Sequence, residues 1–231
     1  GRTDLQNGSP YAYEAGTEDR SSYIPNAVTL DPWTGYWVCN PDGSSLEITI
    51  PPRKAEARTI QASRSQSKAL DLERFFGHRL AFGLQLHASM RMGENVEVDR
   101  RNAVGIAPGA TAGRAQEDVL EPPAIQESLR LSILEDSSRL AGSLRPEGKS
   151  GYIWKLVVSA PLQRRAGQHK VRLRLRSQGA TPPHFGRRLI DRNTGQPVPR
   201  DRGGYTLSVS KDRPTRHLQL LVGNREFLQT E

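Results

Sequence analysis

Four basic residues at alternate positions, Lys170, Arg172, Arg174 and Arg176, form the sharpest chemical pattern in this chain. On a strand such alternation puts the side chains on one face, about 6.6–7 Å apart. A stripe of this kind can track phosphates or an acidic polysaccharide. Guanidinium groups add planar two-point contacts to oxyanions. The competing use of the same stripe is a solvated face that discourages edge-to-edge pairing. No aromatic residue is interleaved, which argues against a single-strand stacking platform. Nucleic acid is therefore not the expected partner.

Acidic and amide residues gather elsewhere, at Asp99, Asn102, Glu117, Asp118 and Glu121. Calcium takes about six to eight oxygen ligands, and an irregular Gly-containing stretch can supply them. Calcium is thus the candidate cofactor, although the EF-hand spacing is absent and a solvated acidic loop has the same composition. The five histidines show no close helical spacing and no cysteine cluster supports them, so a zinc site is not expected. His87 is out of phase with Leu84 and Leu86 and should face solvent. Trp33, Tyr36 and Trp37 offer either a sugar-stacking platform or core packing. Tyr36 and Trp37 point to opposite faces of a strand, so at most one joins a platform. No G-x-S-x-G elbow, Walker A pattern or dinucleotide-binding glycine pattern occurs. An enzyme is not the expected reading.

The elements that must position these groups are strands. Gly (21) and Pro (16) are too frequent for a helical bundle, and no uninterrupted apolar stretch is long enough for a membrane-spanning helix. The single cysteine, Cys39, excludes an intrachain disulfide framework. Leu80, Phe82, Leu84 and Leu86 alternate, as do Leu129, Leu131 and Ile133, then Val171, Leu173 and Leu175, then Tyr205, Leu207 and Val209, then Leu218, Leu220 and Val222. Tyr152 to Val158 is an aromatic and β-branched run. Residues 36–50 read as a hairpin, 69–76 as a helical turn or two, and 91–127 as a long ordered loop. The formal charge is +8, but residues 160–217 alone carry +11, leaving −3 for the remainder. Any basic binding surface therefore lies in the carboxyl-terminal part.

Three collinear blocks suggest relatives. The first is Leu30-Asp31-Pro32-Trp33-Thr34-Gly35-Tyr36-Trp37-Val38, followed by Leu46 to Pro52. The second is Asp99, Asn102, Gly105, Ala110, Gly113 and Glu121-Pro122-Pro123. The third is Trp154 to Ser159, Leu189 to Gly195 and Gly204 to Leu207. Together they resemble the carboxyl-terminal β-sandwich modules of large secreted bacterial surface proteins, including FlgD-like domains and type IX secretion sorting domains. The resemblance implies an exported, extracellular or cell-surface module without catalysis of its own, acting in assembly, anchoring or adhesion. It also implies that Gly1 starts within a longer protein or follows a removed presequence.

The expected fold is all-β: tandem antiparallel β-sandwiches, Ig-like or jelly-roll-like, with the long loop. The expected parts are an amino-terminal hairpin segment over 1–55, a first sandwich over 56–160 and a carboxyl-terminal Ig-like sandwich over 161–231. Expected partners are further copies or other surface subunits, reached by strand addition at 170–176 or 216–222. The alternative is an acidic polysaccharide or lipopolysaccharide; a hydrolase accessory domain comes third.

Overall fold

The computed structural model describes residues 11–13, 23–24, 35–38, 70–113, 115, 117–122, 128–162, 167–179 and 182–230. Its architecture is all-β, as the alternating patterns predict, with two short helices. Near the amino end, β1 (Tyr11–Tyr13) pairs antiparallel with β2 (Tyr23–Ile24) and β3 (Gly35–Trp37). The second strand expected for the 36–50 hairpin lies outside the described residues, as does Trp33.

Among the described residues, the other strands join one twelve-stranded mixed sheet. β4 (Phe82–Met92) and β5 (Asn95–Ala107) form its longest hairpin. A short β6 (Val119–Leu120) and the hairpin of β7 (Arg130–Glu135) and β8 (Ser138–Pro146) follow. Then come β9 (Gly151–Ser159), β10 (Gln168–Gln178) and β11 (Gly186–Asp191). β12 (Gln196–Pro197), β13 (Arg200–Asp201), β14 (Gly204–Ser210) and β15 (Thr215–Gly223) complete it. The order is β12-β11-β15-β9-β7-β8-β5-β4-β10-β14-β13, with β6 beside β8. Every pairing is antiparallel except β5 with β8.

The two ends of that order are halves of one segment. Residues 196–197 pair with β11, and 200–201 pair with β14. Between them Val198 donates its N–H to Leu189 O (2.8 Å), and Pro199 O accepts from Thr206 N (3.1 Å). The curled sheet thus closes on itself through residues 196–201. Pro197 and Pro199 suit so short a closing strand, because proline is tolerated only where a ladder donor is dispensable. The two expected sandwiches are joined in this arrangement: β4 pairs with β10, β9 pairs with β15, and strands from both sides of residue 160 surround a shared interior.

Side chains fill that interior. Phe82, Leu84, Leu86, Leu131, Ile133, Trp154, Leu156, Leu173, Leu207, Leu218 and Leu220 are all buried in it. Burying each of the larger ones contributes about 1.5–3 kcal/mol. Outside the sheet, α1 (Leu72–Phe76) covers β4, β5 and β8. Asp71 caps its start by accepting from Arg74 N, and Gly77 ends it in the left-handed conformation. Leu72, Phe75 and Phe76 pack on Ala103, Ala107, Ala141 and Leu144. Small residues make room: a Cβ on Gly142 would lie 2.6 Å from Phe75 and 2.7 Å from Phe76.

The expected long loop is shorter than 91–127, because β5 occupies 95–107. Only its first two residues are exposed, 97–101 are half-buried or buried, and Asn102 to Ala107 are buried without a break. A strand covered on both faces shows no alternation, and that hid it in the sequence. At the carboxyl end, α2 (Arg225–Thr230) rests on a row of glycines. Gly151, Gly223 and Gly186 are in register across three adjacent strands. A Cβ on Gly151 would meet the Phe227 ring at 2.1 Å, and one on Gly186 would meet Leu228 at 2.8 Å.

Candidate anion-binding cleft

The predicted basic stripe is where the pattern put it. Val171 and Leu173 turn into the interior, while Lys170, Arg172, Arg174 and Arg176 are exposed on the outer face of β10. A cleft opens beside that stripe where two ladders part. β14 pairs with β10 only as far as Leu173↔Tyr205, then turns back into β13. Gly204 makes the turn with φ of 126°, and a Cβ there would lie 2.2 Å from the Leu173 carbonyl oxygen. Only glycine brings the hairpin this close. Past Leu173, β10 keeps β4 as its partner, and its other flank is open. The resulting cleft holds about 300 Å³ and is lined by Arg174, Leu175, Arg176, Arg187 and residues 200–205.

Five arginines (174, 176, 187, 200 and 202) line this space against one acid, Asp201. That acid is already engaged. It accepts from Gly203 N (2.6 Å) and from Arg172 Nη2 (3.1 Å). These contacts, the Gly203 N–H foremost, hold its carboxyl below the usual range. Arg174 donates from Nε to Gly203 O (3.1 Å) and steadies the hairpin. Arg187 bridges the missing ladder, donating to Leu175 O (3.5 Å) and to Ser177 Oγ, above the Phe82 ring at 5.9 Å. Burial lowers the Arg187 pKa, and the positive Arg200 adds to this. Arg200 lies 5.8 Å over the Tyr205 ring, and the Tyr205 hydroxyl donates to Arg187 O (3.3 Å). Burial pushes the Tyr205 pKa up, so its hydroxyl stays protonated.

Arg176, Arg200 and Arg202 have no ion-pair or hydrogen-bond partner among the described residues. Arg187 is half-buried and hydrogen-bonded, and the unpaired Arg176, Arg200 and Arg202 around it are exposed, so the cleft is short of negative charge. An oxyanion in the cleft offsets that deficit, and the arginine fork suits carboxylate, sulfate and phosphate groups. Sequence spacing showed only the β10 half of this site. Arg187, Arg200 and Arg202 arrive from the closing segment and its neighbour. The turn-rich run Arg200-Asp201-Arg202-Gly203-Gly204 was the available signal.

On the opposite flank of β10 the structure corrects one expectation. His87 does not face open solvent. It is half-buried opposite Arg174, and burial, then the charges of Arg100, Arg174 and Arg176, lower its pKa to about 4. The register against β5 shifts here, so that Arg100 and Arg101 together oppose His87. Gln85 Nε2 donates to Arg100 O (2.8 Å) and pins this bulge.

The other predicted residues make the following contacts. Asp99 accepts from Asn102 Nδ2 (2.6 Å) and from Leu131 N (2.7 Å), holding β7 against β5. Asp118 is buried and accepts from Leu144 N and Ala115 N, both at 3.0 Å; burial raises its pKa. Glu117 accepts from Thr111 N (2.5 Å), and Glu121 pairs with Arg130 (2.6 Å). These carboxylates are spread over separate backbone and arginine contacts. Among the described residues no three His, Cys, Asp or Glu side chains are grouped to hold a metal ion. Tyr36 is half-buried on β3, and Trp37 belongs to the same strand.

No helix among the described residues is long and apolar enough to cross a membrane. Comparison with protein-family models, with curated proteins and with solved structures finds no match to this chain.

Proposed function

We propose that this domain is a non-catalytic binding module that holds an acidic polysaccharide through the arginine cleft and the adjoining β10 stripe. The observation that carries this is the charge imbalance: five arginines against one carboxylate that already has two partners. Guanidinium groups stay protonated at all working pH values, so they hold anions rather than shuttle protons. The nearby hydroxyl, Tyr205, is occupied as a donor. The filled interior supports a rigid carrier of a surface site. An exported, cell-surface setting, with a role in anchoring or adhesion, rests on the sequence resemblance. For assembly by strand addition, β15 is bounded on both sides by β9 and β11, and β10 has an open flank only past Leu173, where the arginine cleft lies.

Heparin serves as a probe for acidic polysaccharides. Binding is measured by calorimetry for the parent protein, for Arg176→Ala/Arg202→Ala and for Lys211→Ala, a cation remote from the cleft lining. The expected outcome is a loss of tenfold or more in the double variant and less than about twofold in Lys211→Ala. Absent binding, or an effect that follows net charge wherever it is removed, overturns the proposal.

A further inference from the structure

Resting on the cleft reading above, we infer that the same ligand places a second anionic group across β10, against His87 and Arg100, so that the bound species is a linear polyanion spanning both flanks of this strand. The bulge is the first reason. Two β5 residues oppose the single His87, and Gln85 holds the bulged backbone by Arg100 O. Bulges re-aim side chains beside functional sites. The second reason is an unmet hydrogen-bonding capacity. His87 Nε2 and Arg100 Nε are both shielded from solvent, and neither has a hydrogen-bond partner among the described residues. The third is charge. The groups acting on His87 are Arg100 from β5 and Arg174 and Arg176 from β10, all cationic, with no carboxylate among them.

Arg174 and Arg176 also line the cleft, so the two positions share their cations. Arg100 lies on β5 and Arg202 on the far hairpin, with β4, β10 and β14 between. At about 4.8 Å per strand, the outer cations are on the order of 20 Å apart. A single small anion reaches one flank only; a chain of charged sugars reaches both. The aromatic platform that single-stranded nucleic acid uses is absent from the residues lining the cleft, apart from Tyr205, which Arg200 already covers.

A group at His87 leaves a distinctive readout. With the flank empty, His87 is uncharged near neutrality, its pKa held at about 4. An anion there offsets the three guanidiniums, and His87 takes up a proton as it binds. Because the proton is taken up only in the complex, affinity rises between pH 7 and pH 5. The test measures heparin octasaccharide binding at pH 7 and pH 5, at constant ionic strength, for the parent, His87→Gln and Arg100→Gln. The expected result is a gain at pH 5 in the parent that exceeds the gain in His87→Gln, which stays below about twofold. In Arg100→Gln, binding is weaker at both pH values. Equal pH responses in parent and His87→Gln overturn the second position. If Arg176→Ala/Arg202→Ala still abolishes binding in that case, the cleft itself stands. No binding by any form removes both. Inorganic sulfate should bind at least tenfold more weakly than the octasaccharide; equal affinity overturns the spanning ligand. Equal or tighter binding of a single-stranded oligonucleotide overturns its polysaccharide nature.

Discussion

His87 should contribute to a loss of stability of the unliganded protein on acidification. In the unfolded chain this histidine titrates near 6.5; in the folded protein it does so at about 4. Between these values the unfolded state binds a proton that the folded state refuses. Stability therefore falls as the pH drops from about 6.5 to about 4, and is unaffected above that window. The gap of about 2.5 pH is equivalent to about 3.4 kcal/mol at full development. Solvent reaches part of the side chain, so screening reduces this to about 1.5 kcal/mol. Urea unfolding followed by tryptophan fluorescence, at pH 7 and pH 4.5, measures the loss. Other titrating groups contribute equally to the parent and to His87→Gln and cancel in the difference. The variant should lose about 1 kcal/mol less than the parent on acidification. Identical losses would refute the environment assigned to His87, and with it the cationic flank of β10.

Packing and pairing give three further expectations. Gly142→Ala drives a methyl group into the Phe75 and Phe76 rings and should cost about 1–3 kcal/mol, read as a lower urea midpoint with an unchanged slope. Gly151→Ala, whose Cβ would lie 2.1 Å from the Phe227 ring and meets no backbone atom as close, should release α2 and raise hydrogen exchange over 225–230 while the sheet strands keep their protection. Arg216→Met strands Asp191, a buried carboxylate that pairs with Arg216 and otherwise accepts from Asn193 N (2.9 Å). That should cost about 3 kcal/mol at pH 7, as measured by chemical unfolding.

The parts legible in the sequence were those where one strand face meets the interior and the other meets water. Leu84 and Leu86, or Val171 and Leu173, alternate with outward residues and mark their strands directly. β5 was not legible, because Asn102 to Ala107 are covered on both sides, the outer side partly by α1. The closure was hidden for another reason. It is made by two-residue pairings separated by Val198 and Pro199, too short for any periodicity. The site follows the same division. The stripe of Lys170, Arg172, Arg174 and Arg176 is a property of one strand. Arg187, Arg200 and Arg202 join it only through the closure. His87 was misplaced because an outward position next to long arginine side chains is not an open one.

The most direct test of the central claim is the salt dependence of heparin binding. Each anion contact released by salt contributes a little under one to the slope of log K against log salt. The three arginines Arg176, Arg200 and Arg202 together account for about 2.5 of the parent's slope, so the slope should be shallower by that amount in Arg176→Ala/Arg200→Ala/Arg202→Ala. A slope that stays the same in the triple variant, or binding indifferent to salt, would contradict the assignment of the arginine cleft as the binding site.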